Sequence, residues 1–451
     1  MDVGRLFGTD GIRSEANRYP LDASTVVAVG QAITRVLGQG TRGARIVVGR
    51  DTRLSGEMLE AALGAGIMSM GGVCHPVGVL PTPGVAFLVR DMGFDAGVVI
   101  SASHNPYQDN GIKIFAGDGY KLQEQTEQDI ERLVLGGELS KWASTPQGVG
   151  RVRSVEDAAE RYVAFLKNAF PRDLSLGDVK VVLDCANGAT SSVAPRVFGE
   201  LGAEVIVIHN TPDGLNINDG CGSEHTADLR EVVVSSGADI GLAFDGDGDR
   251  VIAVDEDGNE LTGDQVIVIC AEMLKAQERL ERDQIVSTVM SNLGLNVACD
   301  RLGLSNHASA VGDRHVVEEM RRLGAVVGGE PSGHLVFLQY HTTGDGLIAS
   351  LQLLAAMLRS GKHLSELAAL MEVFPQELVN VDVKSKPDLD SLPAIAQAIT
   401  RVESELEDEG RVLVRYSGTE NVCRIMVEAG SVERVKSYAQ ELAEVVRAAL
   451  G

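Results

Sequence analysis

Short runs of β-branched and other apolar residues alternate with segments of helical periodicity along most of this chain. The clearest runs lie at residues 45–49, 97–101, 179–185 and 204–209. Runs of this kind predict strands, and the segments between them repeat apolar residues at the spacing of a helix face. Ser154 and Asp157 form the pattern of a capping box and predict a helix that begins there. The alternation indicates helices layered on mixed sheets, which is an α/β fold.

The chain has 451 residues, more than one hydrophobic core normally supports, so several domains are expected. A Gly- and Ser-containing stretch at 136–150 indicates the first linker, and further boundaries are expected near Asn259 and Pro375. Beyond these, the order strand, helix, two strands and helix indicates a small α+β domain. We therefore predict three α/β domains with mixed sheets and a smaller C-terminal α+β domain, at residues 1–150, 151–259, 260–374 and 375–451.

The formal net charge of −24 limits the partners of this chain. Nucleic acids and acidic membrane surfaces attract clustered Lys and Arg, so neither is expected as a partner. The six cysteines are dispersed and form no CxxC pair, which favours buried free thiols. Residues 1–13 lack the apolar segment of a signal peptide, and no apolar run is long enough to span a bilayer. We therefore expect a cytoplasmic protein.

The strongest local signal is the segment DGDGDR at 245–250, which follows an apolar run predicted to be a strand. The alternating glycines let the backbone turn tightly enough for Asp245, Asp247 and Asp249 to face one point. Three carboxylates are stable in such proximity only around a hard cation such as Mg²⁺. The pattern therefore predicts a metal site.

Three other interpretations of this segment are open. One is a solvated acidic turn. Another is an EF-hand, which is disfavoured because Arg250 occupies the position that needs Gly. The third is a phosphatase whose nucleophile is the first Asp of a DxD pair, which is a genuine enzyme alternative.

A second signal is SASHNP at 101–106, which places Ser103 just beyond a predicted strand. Active sites of α/β sheets collect at such strand ends. His104 could activate Ser103, but the GxSxG elbow of hydrolases is missing, and a capped turn is the structural alternative. Lys113 follows in NGIK at 110–113 and supplies a cation that could pair with phosphate or exchange a proton.

Two further loops carry groups suited to a phosphorylated sugar. The segment RYSGTE at 415–420 offers an Arg, two hydroxyls and loop amides to a phosphate, although a plain hairpin turn fits equally well. The segment GEPSGH at 329–334 offers a carboxylate, a hydroxyl and an imidazole to sugar hydroxyls. His334 could also act as an acid or base, and a structural turn is the alternative for this loop.

Together these loops resemble those of the α-D-phosphohexomutase superfamily, and within it the bacterial phosphoglucosamine mutases. The resemblance covers nearly the whole chain. Further matching segments are FGTDGIR at 7–13, GRDTR at 49–53, PTP at 81–83, DCANG at 184–188 and VGDR at 311–314. The resemblance implies that the four domains surround a central cleft and that each contributes one loop.

The resemblance also implies a role for each candidate site residue. Ser103 would be the phosphorylated nucleophile and, with three aspartates, a Mg²⁺ ligand. The implied groups are the metal ligands Ser103, Asp245, Asp247 and Asp249; the residues around the reacting phosphate, Arg13, His104, Lys113 and Arg250; the sugar-binding Glu330, Ser332 and His334; and the residues around the non-reacting phosphate, Arg415, Ser417, Gly418 and Thr419.

The implied reaction moves a phosphate through phosphorylated Ser103. The phosphoserine donates its group to the free hydroxyl of a hexosamine phosphate, and phosphate returns to Ser103 from the other end of the sugar. A hexose 1,6-bisphosphate is thus intermediate and activator. Mg²⁺ and basic side chains would stabilise the transferring group. Lys113 or His334 would manage the hydroxyl proton, and Lys113 is favoured because it is close to Ser103 in sequence.

Substrate choice depends on fewer residues. Segments 212–218, 221–223 and 342–346 resemble phosphoglucosamine mutases more than phosphomannomutases. We therefore expect interconversion of glucosamine 6-phosphate and glucosamine 1-phosphate, in amino-sugar nucleotide and cell-wall precursor synthesis. Pro331 replaces the usual Gln or Asn, so a phosphomannomutase or phosphoglucomutase is the main alternative. A phosphosugar phosphatase and a non-catalytic phosphosugar sensor are the others, and the oligomeric state is open, with a homodimer as one candidate.

Overall fold

A computed structural model describes residues 6–8, 10–38, 43–417 and 421–451. The chain forms two compact units, one of Met1–Met290 with Ser305–Leu370 and one of Ser291–Leu304 with Met371–Gly451. Three sheets lie in the first unit and one in the second. Every sheet carries helices, so the predicted α/β class with a smaller C-terminal α+β part is confirmed. The predicted boundaries at 150, 259 and 374 stay predictions.

The first sheet has the order β1-β5-β4-β2-β3-β6. Strands β2, β3, β4 and β6 run parallel, β5 lies antiparallel beside β4, and β1 lies antiparallel beside β5 at the edge of the sheet. Its elements are β1 Ile12–Glu15, α1 Ala23–Leu37, β2 Arg45–Arg50, α2 Gly56–Ser69, β3 Val73–Val79, α3 Thr82–Asp91, β4 Ala96–Ile100, β5 Asp109–Ala116, α4 Glu124–Leu135 and β6 Arg151–Val152.

The second sheet has the order β11-β10-β9-β7-β8, with β8, β7 and β9 parallel and a β9–β10 hairpin. Its elements are α5 Ala158–Ala169, β7 Lys180–Asp184, α6 Ala194–Glu200, β8 Glu204–Ile208, α7 Ala227–Ser236, β9 Ile240–Phe244, β10 Val251–Asp255 and β11 Glu260–Leu261. The third sheet, of order β13-β12-β14-β15, is likewise mixed. Its elements are α8 Gly263–Ala276, β12 Gln284–Thr288, β13 Ser305–Ser309, α10 Asp313–Leu323, β14 Val327–Gly329, β15 Leu335–Phe337, α11 Gly346–Ser360 and α12 Leu364–Ala368.

The second unit is an antiparallel three-stranded sheet of order β16-β18-β17 with helices. A separate apolar core of residues such as Ile425, Val402 and Leu442 joins this sheet to its helices. Its elements are α9 Leu293–Leu302, β16 Gln376–Asp382, α13 Pro393–Leu406, β17 Gly410–Tyr416, β18 Val422–Ala429 and α14 Val432–Leu450.

The sequence predicted a helix that begins at Ser154, but the helix in this region, α5, begins at Ala158. The backbone N–H of Val155 donates to the carbonyl of Pro76 at 3.2 Å, and the Val155 side chain is buried. These tertiary contacts hold the segment extended against β3, so the capping-box prediction was wrong.

The six cysteines are buried and free, as the sequence predicted. In the part of the chain that the structure describes, no helix combines the length and apolar character needed to cross a membrane.

Candidate active site

Three buried carboxylates meet in the turn that joins β9 to β10. Oxygens of Asp245, Asp247 and Asp249 lie within 4.8 Å of one another, directly after a strand that is buried along its whole length. A side chain at Gly246 would lie 2.6 Å from the carbonyl oxygen of Ser103, so only glycine lets this turn approach the serine loop. The turn therefore brings three negative charges to one place, as the sequence predicted.

The local charges of this turn fit a cation. One oxygen each of Asp247 and Asp249 is buried with no hydrogen-bond partner among the described residues. Burial, followed by the charges of Asp249 and Asp247, raises the pKa of Asp245 well above its ordinary value. A hard divalent cation would bind the orphaned oxygens and remove this repulsion. The three aspartates thus form a suitable Mg²⁺ site.

Lys113 supplies one positive charge to this group. Its Nζ lies 2.8 Å from Asp247 Oδ2 and 3.1 Å from Asp249 Oδ2. Burial would lower the pKa of Lys113, but Asp10, Asp247 and Asp249 outweigh it and raise the pKa well above its ordinary value. Burial likewise opposes ionisation of Asp249, yet Lys113, His334 and Arg250 hold its pKa below the ordinary value. Lys113 is therefore a cation in this arrangement.

Ser103 lies against the acidic turn. It is fully buried three residues after β4, and its Oγ donates a hydrogen bond to Asp245 Oδ2 at 2.5 Å. Its φ of +54° lies in the left-handed region, which a serine adopts only when its surroundings hold it there. The chain thus fixes a hydroxyl beside the candidate cation site.

The surroundings that hold Ser103 are two side chains to which the sequence assigned no role. Arg53 Nη2 donates to the carbonyl oxygens of Ser103 at 3.0 Å and Asn105 at 2.7 Å, while its Nε pairs with Asp51 at 2.8 Å. Asn218 Nδ2 donates to the same two carbonyls, each at 2.9 Å. The only sequence signals were their places in the segments GRDTR and PDGLNIN.

Arg13, Arg250 and His104 surround this centre with basic groups. Arg13 Nη2 pairs with Asp10 at 2.6 Å, and Arg250 Nε lies 3.8 Å from Asp249 Oδ1. The Nε atoms of both arginines are buried without a hydrogen-bond partner within the described residues. His104 Nδ1 lies 3.4 Å from Ser103 Oγ, and burial, then Arg250, lowers the pKa of His104. The arginines therefore have donors available for an anion.

The GEPSGH segment forms the loop between β14 and β15. An isolated bridge joins His334 to Arg250, and the backbone N–H of Gly312 donates to Glu330 Oε1 at 3.0 Å. His334 is 3% exposed, its Nε2 lies 3.7 Å from Asp313 Oδ2, and neither ring nitrogen makes a hydrogen bond to any described residue. Ser332 is half-buried on the same loop. Glu330 and His334 are thus brought beside the acidic turn.

The phosphate loop predicted in the second unit begins at the end of β17. Arg415 lies opposite Arg424 in the β17–β18 register, and burial, then the charge of Arg424, lowers the pKa of Arg415. The Arg415 Nε is buried without a hydrogen-bond partner in the described ranges. The carbonyl of Ser417 accepts from Lys386 Nζ at 2.7 Å. Gly418 and Thr419, which were also predicted, lie outside the described residues. The described part of the loop is therefore a group of positive charges suited to an anion.

Comparisons with known proteins give one family for the whole length of the chain. Four models of phosphoglucomutase/phosphomannomutase match in order: alpha/beta/alpha domain I at residues 4–140, domain II at 160–258, domain III at 262–374 and the C-terminal domain at 378–445.

Relatives match over the full chain. A phosphoglucosamine mutase of Syntrophobacter fumaroxidans is 60% identical, and one of Syntrophus aciditrophicus is 52% identical; each match covers 100% of both chains.

Solved structures share the fold. A phosphoglucomutase/phosphomannomutase family protein of Burkholderia thailandensis has a TM-score of 0.80 at 25% identity, covering 98% of this chain and 97% of that one. The Aspergillus fumigatus N-acetylphosphoglucosamine mutase, in complex with GlcNAc-6P and magnesium, has a TM-score of 0.70 at 18% identity, covering 99% and 96%.

Proposed function

The chain belongs to the phosphoglucomutase/phosphomannomutase family, and from that premise we propose how its residues interconvert glucosamine 6-phosphate and glucosamine 1-phosphate. It is a phosphohexomutase, an isomerase that moves a phosphate within a hexose phosphate, and its full-length relatives of 50–60% identity are phosphoglucosamine mutases. The observation that carries the proposal is the Ser103 hydroxyl, 2.5 Å from a carboxylate of the acidic turn.

The nucleophile is Ser103, which carries a phosphate in the active enzyme. The P–Oγ bond breaks as a new P–O bond forms to the free hydroxyl of glucosamine 6-phosphate, giving glucosamine 1,6-bisphosphate and a free serine hydroxyl. The bisphosphate reverses its orientation, and its 6-phosphate then returns to Ser103 Oγ. Asp245, Asp247 and Asp249, with the phosphoserine, would hold Mg²⁺, which stabilises the charge of the transferring group when bound.

Lys113 and His334 divide the proton transfers in this proposal. The raised pKa of Lys113 keeps it protonated, so it suits the roles of stabilising phosphoryl oxygens and giving a proton to the departing Ser103 Oγ. His334 has two ring nitrogens without a hydrogen bond among the described residues and can accept the proton of the sugar hydroxyl. The sequence favoured Lys113 for the hydroxyl proton of the sugar, whereas the local charges favour His334 for that proton.

The remaining predicted residues orient the substrate. Arg13, His104 and Arg250 would surround the reacting phosphate, and Glu330 with Ser332 would bind sugar hydroxyls. Arg415 and Ser417, with Gly418 and Thr419, would bind the non-reacting phosphate. Cytoplasmic location and a homodimer stay predictions from the sequence.

The phosphatase alternative receives little support from the acidic turn. Asp245, the nucleophile that this alternative needs, accepts from Ser103 Oγ at 2.5 Å and from the backbone N–H of Arg250 at 3.1 Å. Ser103 is the better-placed group.

The deciding experiment is phosphorus NMR of the protein with Mg²⁺, a trace of the matching bisphosphate, and glucosamine 6-phosphate, mannose 6-phosphate or glucose 6-phosphate in parallel. Fastest equilibration of the amino sugar is expected. Faster reaction of mannose or glucose 6-phosphate would move the specificity to the main alternative, free phosphate alone would support the phosphatase, and no reaction would support the sensor.

A further inference from the structure

A second group of possible metal ligands lies in the second sheet, outside the acidic turn. Asp184 ends β7, His209 follows β8 directly, and Cys221 lies in the long connection to α7. One ligand atom of each lies within 4.8 Å of the other two. Asp184 and Cys221 are buried, and His209 is 23% exposed. The proposed reaction uses none of these residues.

The orientation of His209 points to a ligand shared with Asp184. Its Nδ1 is buried and lies 3.0 Å from Asp184 Oδ2, which is the distance of a hydrogen-bonded pair. A cation can replace the proton of such a pair, because a neutral imidazole nitrogen and a carboxylate oxygen are both metal ligands. The pair therefore offers two ligand atoms to one cation.

The residues around these ligands resemble the outer shell of a metal site. His209 Nε2 lies 3.2 Å from Asp228 Oδ2, which is the partner that fixes the ring of a metal-bound histidine. Asp184 is oriented by the backbone N–H groups of Ala186, to Oδ1, and Gly222, to Oδ2, each at 2.9 Å. His209 and Asp184 are thus oriented by their neighbours before any ion binds.

The three kinds of ligand atom determine which ion would bind here. A carboxylate, an imidazole and a thiol together suit a borderline-soft divalent cation such as Zn²⁺, whereas Mg²⁺ prefers oxygen ligands alone. We propose that Asp184, His209 and Cys221 bind a divalent cation of the zinc class, with Asp228 orienting His209, at a site separate from the acidic turn.

The position of this site gives it a consequence for Ser103. Cys221 lies three residues after Asn218, whose side chain donates to the carbonyl oxygens of Ser103 and Asn105. Asn187, three residues after Asp184, donates to the carbonyl of Asn216 in the same connection at 3.3 Å. A cation bound by Asp184 and Cys221 would therefore stiffen the loop that positions the nucleophile.

The test uses Co²⁺ as a coloured substitute for Zn²⁺ on the full-length protein, after treatment with a chelator. One equivalent of Co²⁺ should produce a thiolate-to-cobalt charge-transfer band and raise Tm. Zn²⁺ should remove the band by displacement, and excess Mg²⁺ should leave it. Absence of the band in the wild-type protein would overturn the proposal.

Variants assign the band to these ligands. Cys221→Ser should abolish it, and His209→Asn should weaken Co²⁺ binding at least about 10-fold; Asn suits the φ of +46° at this position, so this variant should fold. Asp228→Asn should weaken binding about 10-fold or more. The matched controls Cys270→Ser and Asp247→Asn should keep the band. A band that survives Cys221→Ser, or binding unchanged by His209→Asn, would overturn the assignment.

Discussion

The loops around Ser103 and the loops proposed to bind the sugar phosphate are built in opposite ways. The transfer site consists of Ser103, Lys113 and the three aspartates. There the carbonyl of Ser103 accepts hydrogen bonds from Arg53 and Asn218, and its hydroxyl donates one to Asp245. In the recognition loops, which are 329–334 and 415–417, His334 and Arg415 have buried nitrogens without a hydrogen-bond partner within the described ranges.

This difference agrees with what each part must do in a mutase. The transferring phosphate always moves to or from one oxygen, so preorganisation of that oxygen lowers the barrier. The sugar binds in two orientations, so the side chains that bind it cannot already be hydrogen-bonded to neighbouring residues. We therefore expect changes at the transfer site, and of the proposed base His334, to reduce kcat, and changes of the other side chains in the recognition loops to raise KM.

The largest effect is expected from Ser103→Ala. Removal of the nucleophile should lower kcat at least about 10³-fold, because the other groups can stabilise a transferring phosphate but cannot carry it. Incorporation of labelled phosphate from the bisphosphate should disappear as well, while Tm stays within a few degrees. The control is Ser235→Ala, on an exposed stretch of α7. Labelling that persists in the Ser103 variant would place the phosphate elsewhere.

A smaller but still large effect is expected from Arg53→Met. The variant leaves Asp51 buried without its ion-pair partner and removes one of the two side-chain donors to the Ser103 carbonyl, so we expect a loss of about 3–5 kcal/mol in the free energy of unfolding and about 10²-fold in kcat. Denaturant titration and steady-state kinetics measure the two losses.

The double variant Asp51→Asn with Arg53→Met separates the two effects. Removing the unpaired charge should recover most of the stability, whereas kcat should stay low because the hydrogen bonds that Arg53 donates to Ser103 and Asn105 are still missing. Recovery of kcat together with stability would mean that Arg53 acts only on folding.

The fold was predictable where strands are fully buried. The runs at 97–101 and 179–185 match β4 and β7, because a strand covered on both faces needs consecutive apolar residues. The start of α5 was not predictable from Ser154, because the contact between Val155 and Pro76 that displaces it joins residues distant in sequence. Local patterns thus predicted buried elements better than their ends.

The site was predictable where chemistry resides in side-chain motifs. The three aspartates and Ser103 were recognised individually, and the structure brings them together across 142 residues. The roles of Arg53 and Asn218 were hidden because they bind backbone carbonyls, which any residue could supply. The proposed ligands Asp184, His209 and Cys221 were hidden for a related reason, since a strand end and two separate connections contribute them and no spacing motif results.

A third prediction concerns the recognition loops. Arg415→Lys keeps a positive charge but loses the planar fork that binds two phosphate oxygens, so KM should rise about 10-fold with a smaller change in kcat. Arg401→Lys, on exposed α13, is the control. Steady-state kinetics with glucosamine 6-phosphate measures both. A fall in kcat that exceeds the rise in KM would remove the distinction between the recognition loops and the transfer site.

The smallest effect is expected from the ionisation of Asp345, which caps the N-terminus of α11. Its carboxylate accepts from the N–H groups of Leu347 and Ile348, and from Tyr162 Oη at 2.9 Å. The next residue, Gly346, donates its backbone N–H to the carbonyl of Gly248 at 3.1 Å, so this helix end supports the turn directly. Burial is the main cause that raises the pKa of Asp345 to about 7, from an ordinary value of 3.8.

A carboxyl with a raised pKa makes the folded state bind more protons than the unfolded state between the two pKa values. Stability should therefore fall as pH rises from about 4 to about 7, and this contribution should be lost above that range. Asp345→Asn keeps the helix cap but cannot ionise. Between pH 5 and pH 8, Tm of the wild-type protein should fall by about 2–4 °C more than Tm of the variant. If Tm changed with pH equally in the wild-type protein and in the variant, Asp345 would be ionised over the whole range. The helix cap that supports the acidic turn would then be charged throughout, and the preorganisation of the transfer site would not depend on pH at this position.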